Sequence, residues 1–314
     1  MTKNILTICV VLMICNTFSV AEEVCQVLDD RNYSQGFVIL GTKHDQPKRI
    51  ETLGREGVTP CWQIAQWHSK GTLDRLDLDE NTARFSDPYK SVLLNRKTGA
   101  INLTVLASKE WNYTPRESHS EPWPHLLLSQ SSFTNPVNIA HAQKILVTFD
   151  FELTMLQKYG EQKNNLHTAQ VGWFLYLKNT NKQSKGFHNF LWFGISLFDS
   201  RHDFTSTYAA QDFAMPNGKF IYTIGNKTYL TKKVEVGQRQ KIQYDILPEV
   251  QKALDTAHQK GFIVHSNIQD MVFDGMNIGW EIPGVYDAGM TFHQLNIEVI
   301  KKKEIPLISK ENED

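Results

Sequence analysis

An alternation of apolar and polar residues between Lys144 and Thr154 most constrains how this chain can fold. A strict period of two predicts a β-strand with one buried face and one polar face. The residues that share the apolar face are Ile145, Val147, Phe149, Phe151 and Leu153. Further predicted strands are Ile101–Ala107, Ala169–Lys178, Phe190–Asp199, Lys219–Ile224, Lys241–Ile246, Gly261–Ser266 and Thr291–Ile300.

Two of these strands are rich in aromatic residues. In Ala169–Lys178, Gln170, Phe174 and Tyr176 take the face opposite to Trp173 and its apolar neighbours. Phe190–Asp199 is apolar on both faces, which is typical of a central strand that is covered on both sides.

One segment has helical spacing. Asp245 can cap this helix, Pro248 falls in its first turn, and Gly261 follows Lys260 as a stop signal. Many strands with one helix predict an all-β fold. We expect a two-layer antiparallel β-sandwich, most simply a jelly roll, with one surface α-helix.

The N-terminus predicts export. Lys3 precedes the apolar run Ile5–Cys15, and the small residues Ser19 and Ala21 suit a cleavage site. The run is shorter than the roughly 20 residues that span a bilayer, so residues 1–21 are predicted to be a signal peptide. A lipid anchor at Cys15 is the alternative. The secreted chain, extracellular or periplasmic, would comprise one β-sandwich domain with an irregular N-terminal decoration and a charged tail. The domain would span residues 22–300, with the decoration at residues 22–90, and the tail would span residues 301–314.

Two cysteines remain after removal of the signal peptide. Cys25 and Cys61 both lie near the new N-terminus. Oxidising compartments favour disulfides, so a Cys25–Cys61 bridge is predicted. Two unpaired, buried thiols are the alternative.

The charge balance excludes some partners. The chain has 33 Lys and Arg against 34 Asp and Glu, a net charge of −1. It therefore lacks the basic footprint of a protein that binds nucleic acid or an anionic membrane. The sequence also lacks a P-loop, a dinucleotide fingerprint, a nucleophile elbow and paired zinc motifs. No metal site is predicted, and the oligomeric state is left open.

Aromatic and polar residues cluster at several points. Aromatic rings stack on the C–H faces of sugars, while amides, carboxylates and guanidinium groups bind sugar hydroxyls. These clusters predict a carbohydrate site, although burial of the tryptophans in the core is the alternative, and Arg201 can instead form a strand-end ion pair with Asp199. The predicted substrate-binding residues are Trp62, Gln66, Trp67, Trp123, Arg201 and Trp280.

Four residues are candidates for catalysis. Asp150 and Glu152 share one strand face at a spacing of about 6–7 Å, which an inverting glycosidase accommodates. A solvated outer face is the alternative interpretation. Glu281 beside Trp280 is the rival carboxylate, since burial against an indole suits a general acid. His125 could act as the base of a β-elimination from a uronic acid, with Arg201 or Gln66 neutralising the sugar carboxylate.

These strands and Gly279-Trp280-Glu281 resemble the jelly-roll sandwiches of the concanavalin A-like superfamily over roughly residues 90–300. That resemblance implies contact with carbohydrate, through a lectin, a hydrolase or a lyase. Such proteins often carry a structural calcium ion, although no loop here has an EF-hand pattern and no other cofactor is predicted. The Glu-x-Asp-x-x-Glu motif of laminarinase-like hydrolases is missing; Asp150-Phe151-Glu152 is a fragment of it.

The leading hypothesis is a secreted β-sandwich protein that binds an extracellular polysaccharide and, as a glycoside hydrolase or polysaccharide lyase, cleaves it. A non-catalytic carbohydrate-binding protein is the first alternative. A structural or adhesive surface protein is the second.

Overall fold

A computed structural model describes residues 23–43, 45–46, 48–163, 165–212 and 219–302, and every structural statement below concerns these residues. The predicted signal peptide, residues 1–21, and residues 303–314 of the predicted tail lie outside them.

The described chain contains seventeen strands. The first nine are β1 (Val24–Gln26), β2 (Phe37–Ile39), β3 (Arg49–Glu51), β4 (Trp62–Ala65), β5 (Arg75–Leu78), β6 (Thr82–Ser86), β7 (Lys90–Asn95), β8 (Ile101–Leu106) and β9 (His125–Gln130). The others are β10 (Ala142–Lys158), β11 (Gln170–Asn179), β12 (Phe190–Asp199), β13 (Tyr208–Asp212), β14 (Lys219–Ile224), β15 (Arg239–Asp245), β16 (Met271–Glu281) and β17 (Tyr286–Lys301). Two α-helices accompany them, α1 (Ala107–Glu110) and α2 (Leu247–Gln259).

The strands form two sheets. The eight-stranded sheet has the order β15-β10-β17-β8-β7-β6-β5, with β1 also paired to β17. The nine-stranded sheet has the order β13-β14-β12-β11-β16-β9-β4-β2-β3. All neighbours are antiparallel except β12 with β14 and β2 with β4. The predicted jelly-roll sandwich is confirmed.

The alternating strands pack their apolar faces between the sheets. The five apolar residues of β10 named above are all at most 1% exposed. Phe149 of the eight-stranded sheet meets Trp173 of the nine-stranded sheet edge to face, with ring centroids 6.1 Å apart. Each such side chain contributes about 2–3 kcal/mol on burial, which makes this interface the main source of stability.

Helix α2 lies where the sequence predicts, but its N-cap position is Ile246, one residue after the predicted cap Asp245. The Asp245 carboxylate accepts a hydrogen bond from the backbone of Leu247, and Pro248 lies in the first turn. At the other end Gly261 has a φ of +81°. Its amide donates to His258, and that of Phe262 donates to Ala257, which closes the helix in a Schellman motif. The helix contacts β10 and β14, so it covers one side of the sandwich.

The segment Gly261–Ser266 is a turn, and the predicted strand there is wrong. Its apolar residues reflect the helix end, since the ring of Phe262 stacks on Phe220 of β14 with centroids 5.1 Å apart. Ile263 has a φ of +45°, which an extended strand does not allow.

The N-terminal part of the chain belongs to both sheets. Residues 22–90, predicted as an irregular decoration, contain β1 to β6 and the start of β7. β2, β3 and β4 extend the nine-stranded sheet beyond β9, while β5, β6 and β7 extend the other sheet beyond β8. Three short strands thus lengthen each sheet at an edge.

The predicted bridge between Cys25 and Cys61 is not formed, and both residues are free thiols. Cys25 lies in β1 of the eight-stranded sheet, whereas Cys61 precedes β4 of the other sheet. Cys61 instead accepts a hydrogen bond from the Gln130 amide at 3.7 Å. Burial, with the nearby Asp30 and Asp29 carboxylates, raises the pKa of the Cys61 thiol to about 12.

Among the described residues, neither α-helix is long and apolar enough to cross a bilayer.

Candidate active site

Four polar residues form a row across the outer face of the nine-stranded sheet, which we call the open face. Gln170 of β11 lies opposite Asp199 of β12 on one side and Glu281 of β16 on the other. His125 of β9 lies opposite Glu281. Because directly opposed residues project to the same side of a sheet, the register brings these side chains together.

Glu281 is the centre of the row. Its Oε2 atom accepts hydrogen bonds from the Trp123 indole at 3.3 Å and from the Gln170 amide at 3.5 Å. The Nε2 atom of His125 lies 3.7 Å from the same oxygen. The Glu281 side chain keeps 22% of its surface exposed, so it is held by neighbours and still reaches solvent.

The backbone fixes the tautomer of His125. Its Nδ1 atom lies 2.8 Å from the carbonyl oxygen of Trp123. A carbonyl only accepts hydrogen bonds, so Nδ1 carries a hydrogen. In this tautomer Nε2 is the hydrogen-bond acceptor of the ring, and it faces Glu281. The gap of 3.7 Å between His125 and Glu281 is an ion-pair distance and is longer than a hydrogen bond.

Two tryptophans surround His125. Trp123 stacks on it with centroids 5.6 Å apart and planes inclined by 23°. Arg116 also lies over the Trp123 ring, 4.7 Å from its centroid, so protein groups cover much of this indole. Trp67 is half-buried and meets His125 at 6.0 Å. His68, with a φ of +59°, lies 5.7 Å from His125.

A cavity of about 370 Å³ opens beside Glu281. Glu281, Gln170 and Asp199 line one side of it. Phe204 and Tyr208 are 38% and 51% exposed at its rim. Its other lining residues are Val171, Gly172, Phe174, Ser196, Phe198, Arg201, His202, Thr205, Ser206 and Thr223. The cavity combines aromatic surface with hydrogen-bonding groups.

Asp199 and Arg201 form an ion pair in this cavity. Arg201 donates from Nε at 2.9 Å and from Nη2 at 2.5 Å, and the Thr168 hydroxyl donates to the same carboxylate at 2.9 Å. Burial by itself raises the pKa of Asp199, but the hydrogen bonds and charge of Arg201 outweigh it and lower the pKa overall. Asp199 is therefore held as a carboxylate.

Asp150 and Glu152 lie far from this row, on β10 of the other sheet, where they point away from the core. Arg239 covers Asp150 with hydrogen bonds from Nε at 2.5 Å and Nη2 at 2.7 Å. Glu152 lies 3.6 Å from His293. The structure therefore does not bring these two carboxylates to Glu281.

Three predicted substrate-binding residues are buried away from the open face. Trp62 and Trp280 are both 0% exposed, and their indoles donate to the carbonyls of Asp30 and Leu103. Gln66 is 1% exposed and is bonded to the backbone of residues 40 and 73. The burial of Trp62 and Trp280 agrees with the alternative interpretation, in which the tryptophans belong to the core. Of the predicted site residues, Glu281, His125, Trp123 and Trp67 come together, and Arg201 lies across the cavity.

The sequence did not single out Gln170 and Phe174 as site residues, although it placed both on the correct strand face. A further signal was present in Gly172 and Gly194, because a glycine inside a strand marks the close approach of another group. The described residues contain no group of three or more His, Cys, Asp or Glu side chains that could hold a metal ion.

No protein-family model matches the chain. A search of curated proteins also found no match. Among solved structures, a native family 12 xyloglucanase from Bacillus licheniformis is 10% identical, with 75% of this chain and 99% of that chain covered and a TM-score of 0.45. Endoglucanase Cel12A from Rhodothermus marinus is 10% identical, with coverages of 71% and 93% and a TM-score of 0.41. The xyloglucanase domain of NopAA from Sinorhizobium fredii, in complex with cellobiose, is 6% identical, with coverages of 71% and 94% and a TM-score of 0.37.

Proposed function

We propose that this protein binds a polysaccharide across the open face and hydrolyses it at Glu281 and His125. One observation carries the proposal: a carboxylate and an imidazole, 3.7 Å apart, face each other beside an open cavity with aromatic and polar walls. Aromatic surface with a few convergent polar groups is the composition of a sugar site, and a carboxyl group beside an imidazole provides the groups that acid–base chemistry requires.

The pair supplies the proton movements of glycoside hydrolysis. In its singly protonated state it donates a proton to the glycosidic oxygen as the bond to the sugar carbon breaks. The Glu281 carboxylate, oriented by Trp123 and Gln170, then faces the positive charge that develops on the sugar. Water adds to that carbon and returns a proton to the pair, so the atoms and charges balance.

The charges of the cavity favour a neutral sugar. A lyase acting on uronic acids needs a cation or amide to neutralise the substrate carboxylate. Arg201 is already engaged by Asp199 in a two-point contact, and Gln66 is buried. Hydrolysis of a neutral glycan therefore fits the site better than β-elimination.

A binding protein without turnover is the second candidate. Hydrolases of the common kinds use two carboxyl groups, at about 5–5.5 Å or 6.5–9.5 Å. Asp199 is the other acidic residue of the cavity lining, and its ion pair with Arg201 restrains it. This observation favours a site that holds a glycan but does not cleave it.

The predicted signal peptide extends the proposal to location. Its apolar run is too short to span a bilayer, which is consistent with export of the rest of the chain. We therefore infer that the glycan recognised by this protein lies outside the cytoplasm.

The decisive experiment compares the Glu281–His125 pair with the similar Glu152–His293 pair of the same molecule. Purified protein is incubated with a panel of neutral and acidic polysaccharides, and new reducing ends and unsaturated uronates are both measured. Glu281→Gln and His125→Ala are each expected to lower the rate of reducing-end release at least about a hundredfold, because each removes one of the two groups proposed to transfer protons.

The matched controls are Glu152→Gln and His293→Ala, since this Glu–His pair has a similar separation of 3.6 Å on the other sheet. They are expected to retain wild-type rates. Binding with no turnover on any polymer would favour the second candidate, unsaturated products would favour a lyase, and neither binding nor turnover would reject a carbohydrate function.

A further inference from the structure

Phe174 lies over a gap that two glycines leave in the open face. A Cβ atom at Gly172, two residues back on β11, would be 2.7 Å from Cε2 of the Phe174 ring. A Cβ atom at Gly194, opposite on β12, would be 2.7 Å from Cε1 of the same ring. The ring therefore occupies the space of two missing side chains and leans down onto the sheet.

Trp192 stands beside this ring in a different orientation. Its plane is inclined by 84° to that of Phe174, with centroids 6.4 Å apart. Tyr176 and Phe190 pack against it at 85°, with centroids 4.7 Å and 5.5 Å away. Three neighbouring rings thus hold Trp192 on edge, next to the lowered Phe174.

The lowered ring belongs to the cavity of the proposed site. Phe174 lines that cavity together with Gln170 and Glu281. It lies four residues from Gln170 on the same strand face, a distance of about 13 Å. A sugar chain that reaches Glu281 can therefore place a neighbouring unit over Phe174.

We propose that Phe174 is the floor of a sugar-binding subsite that selects flat, equatorially linked glycans such as β-1,4-linked glucose. This inference rests on the proposed carbohydrate function and deepens it. A pyranose whose substituents are all equatorial presents C–H groups on both faces, and such a face stacks on an aromatic ring. An α-1,4-linked chain curves, so it cannot lay one unit on Phe174 while the next units follow the sheet to Glu281.

Gly172 offers a variant that moves the ring without deleting it. The three atoms nearest to its added Cβ all belong to Phe174. Its φ is not in the left-handed region, so Gly172→Ala is compatible with the backbone. The substitution should lift the Phe174 ring from the sheet and change little else.

The test measures binding of β-1,4-linked and α-1,4-linked glucose hexasaccharides by calorimetry, in a Glu281→Gln background that prevents turnover. We expect the parent to prefer the β-linked probe. Phe174→Ala should weaken its binding about tenfold, the loss of one stacking contact. Gly172→Ala should weaken it severalfold, Phe174→Tyr should retain it, and the preference over the α-linked probe should shrink in Phe174→Ala.

Tyr113→Ala is the control for loss of an aromatic ring outside the subsite, because Tyr113 is 61% exposed, packs on Tyr159 and does not line the cavity. This variant is expected to keep the parent affinity. If the parent binds the β-linked probe and both Phe174→Ala and Gly172→Ala bind it equally tightly, the subsite is rejected while the proposed function stands. If the parent binds neither probe, the subsite as described is rejected; whether the proposed function fails as well is decided by the polysaccharide panel.

Discussion

The ion pair between Asp199 and Arg201 makes one carboxylate of the cavity a structural group. The folded-state pKa of Asp199 lies below its ordinary value. The stabilisation it gives is therefore fully present above the unfolded pKa of about 4 and is lost as the pH falls through the folded value. Asp199→Asn should lower the free energy of unfolding by about 2 kcal/mol at pH 7, and less as the pH falls below about 4.

Urea denaturation at several pH values from 7 to 3 measures this difference. The control is Asp77→Asn, which breaks an exposed ion pair of the same sequence spacing with Arg75, where the side chains are 51% and 72% exposed. It should have little effect, because solvent screens such pairs. A constant loss in Asp199→Asn across the whole pH range would contradict a role for its charge.

Residue by residue, the sequence indicated which polar residues lie together better than it indicated which residues are buried. Glu281 and His125 were identified from their aromatic and proline-flanked surroundings, and the structure places them together. Trp280, next to Glu281, could not be assigned to the core from the sequence because strand alternation gives opposite faces without saying which face is inside. Arg239, which pairs with Asp150, lies on β15, a strand remote in sequence, so no pattern near Asp150 indicates this partner.

At the scale of single elements, α2 depends on its packed face. Leu254 is 1% exposed, among the apolar residues that the helix turns toward β10 and β14. Leu254→Ala should lower the free energy of unfolding by about 3 kcal/mol, through lost burial and the cavity left behind. Gln251→Ala on the exposed face is the control, with a change near zero. Equal midpoints for the two variants in urea denaturation would show that the helix is not part of the cooperative core.

A buried polar connection fixes the segment that follows Trp67 and His68. Lys90, 2% exposed, donates to Asp87, to the Ser69 hydroxyl at 2.7 Å and to the carbonyl of Gly71 at 2.7 Å. Burial lowers the pKa of Lys90 even though Asp87 opposes the shift. The eight-stranded sheet thereby holds a loop that reaches the site on the other sheet.

Lys90→Met should therefore cost about 3 kcal/mol, since it leaves the Asp87 carboxylate buried without its cation. The double variant Asp87→Asn/Lys90→Met should be less destabilised than Lys90→Met, because the Asp87 charge is removed together with its cation. Guanidinium denaturation of four proteins, the wild type, Lys90→Met, Asp87→Asn and the double variant, measures this. A double variant that is destabilised by the sum of both single changes would indicate that the two residues act independently.

Strand periodicity predicted elements well and their partners poorly. β10, β11, β12 and β17 were located from alternation or apolar runs, which are local patterns. The short strands β1 to β6 carry too few residues to establish a period, and β1 and β4 pair with the distant strands β17 and β9. The turn at Gly261–Ser266 was mistaken for a strand because its apolar residues pack against the sandwich from a helix end.

At the scale of the whole molecule, the site exists only because the nine-stranded sheet places β12, β11, β16 and β9 side by side. Asp199, Gln170, Glu281 and His125 come from four separate parts of the sequence, and antiparallel register alone aligns them. Local sequence could therefore nominate single residues, whereas the row across the sheet required the topology.

The stability of the sandwich should not depend on a covalent cross-link. A structural disulfide contributes about 2–5 kcal/mol, which corresponds to a shift of several degrees in Tm for a domain of this size. Because Cys25 and Cys61 are free thiols, the Tm of the chain lacking residues 1–21 should be the same with and without dithiothreitol. In denaturant, two thiols per chain should react with a thiol-specific reagent.

The native protein should distinguish the two thiols. With its pKa raised to about 12, Cys61 carries almost no thiolate near pH 8 and should react slowly. Cys25→Ser should therefore remove most of the fast reaction in the native state, whereas Cys61→Ser should leave it. A Tm that falls by several degrees on reduction, or fewer than two titratable thiols in denaturant, would mean that the molecule uses a cross-link that the free thiols do not provide.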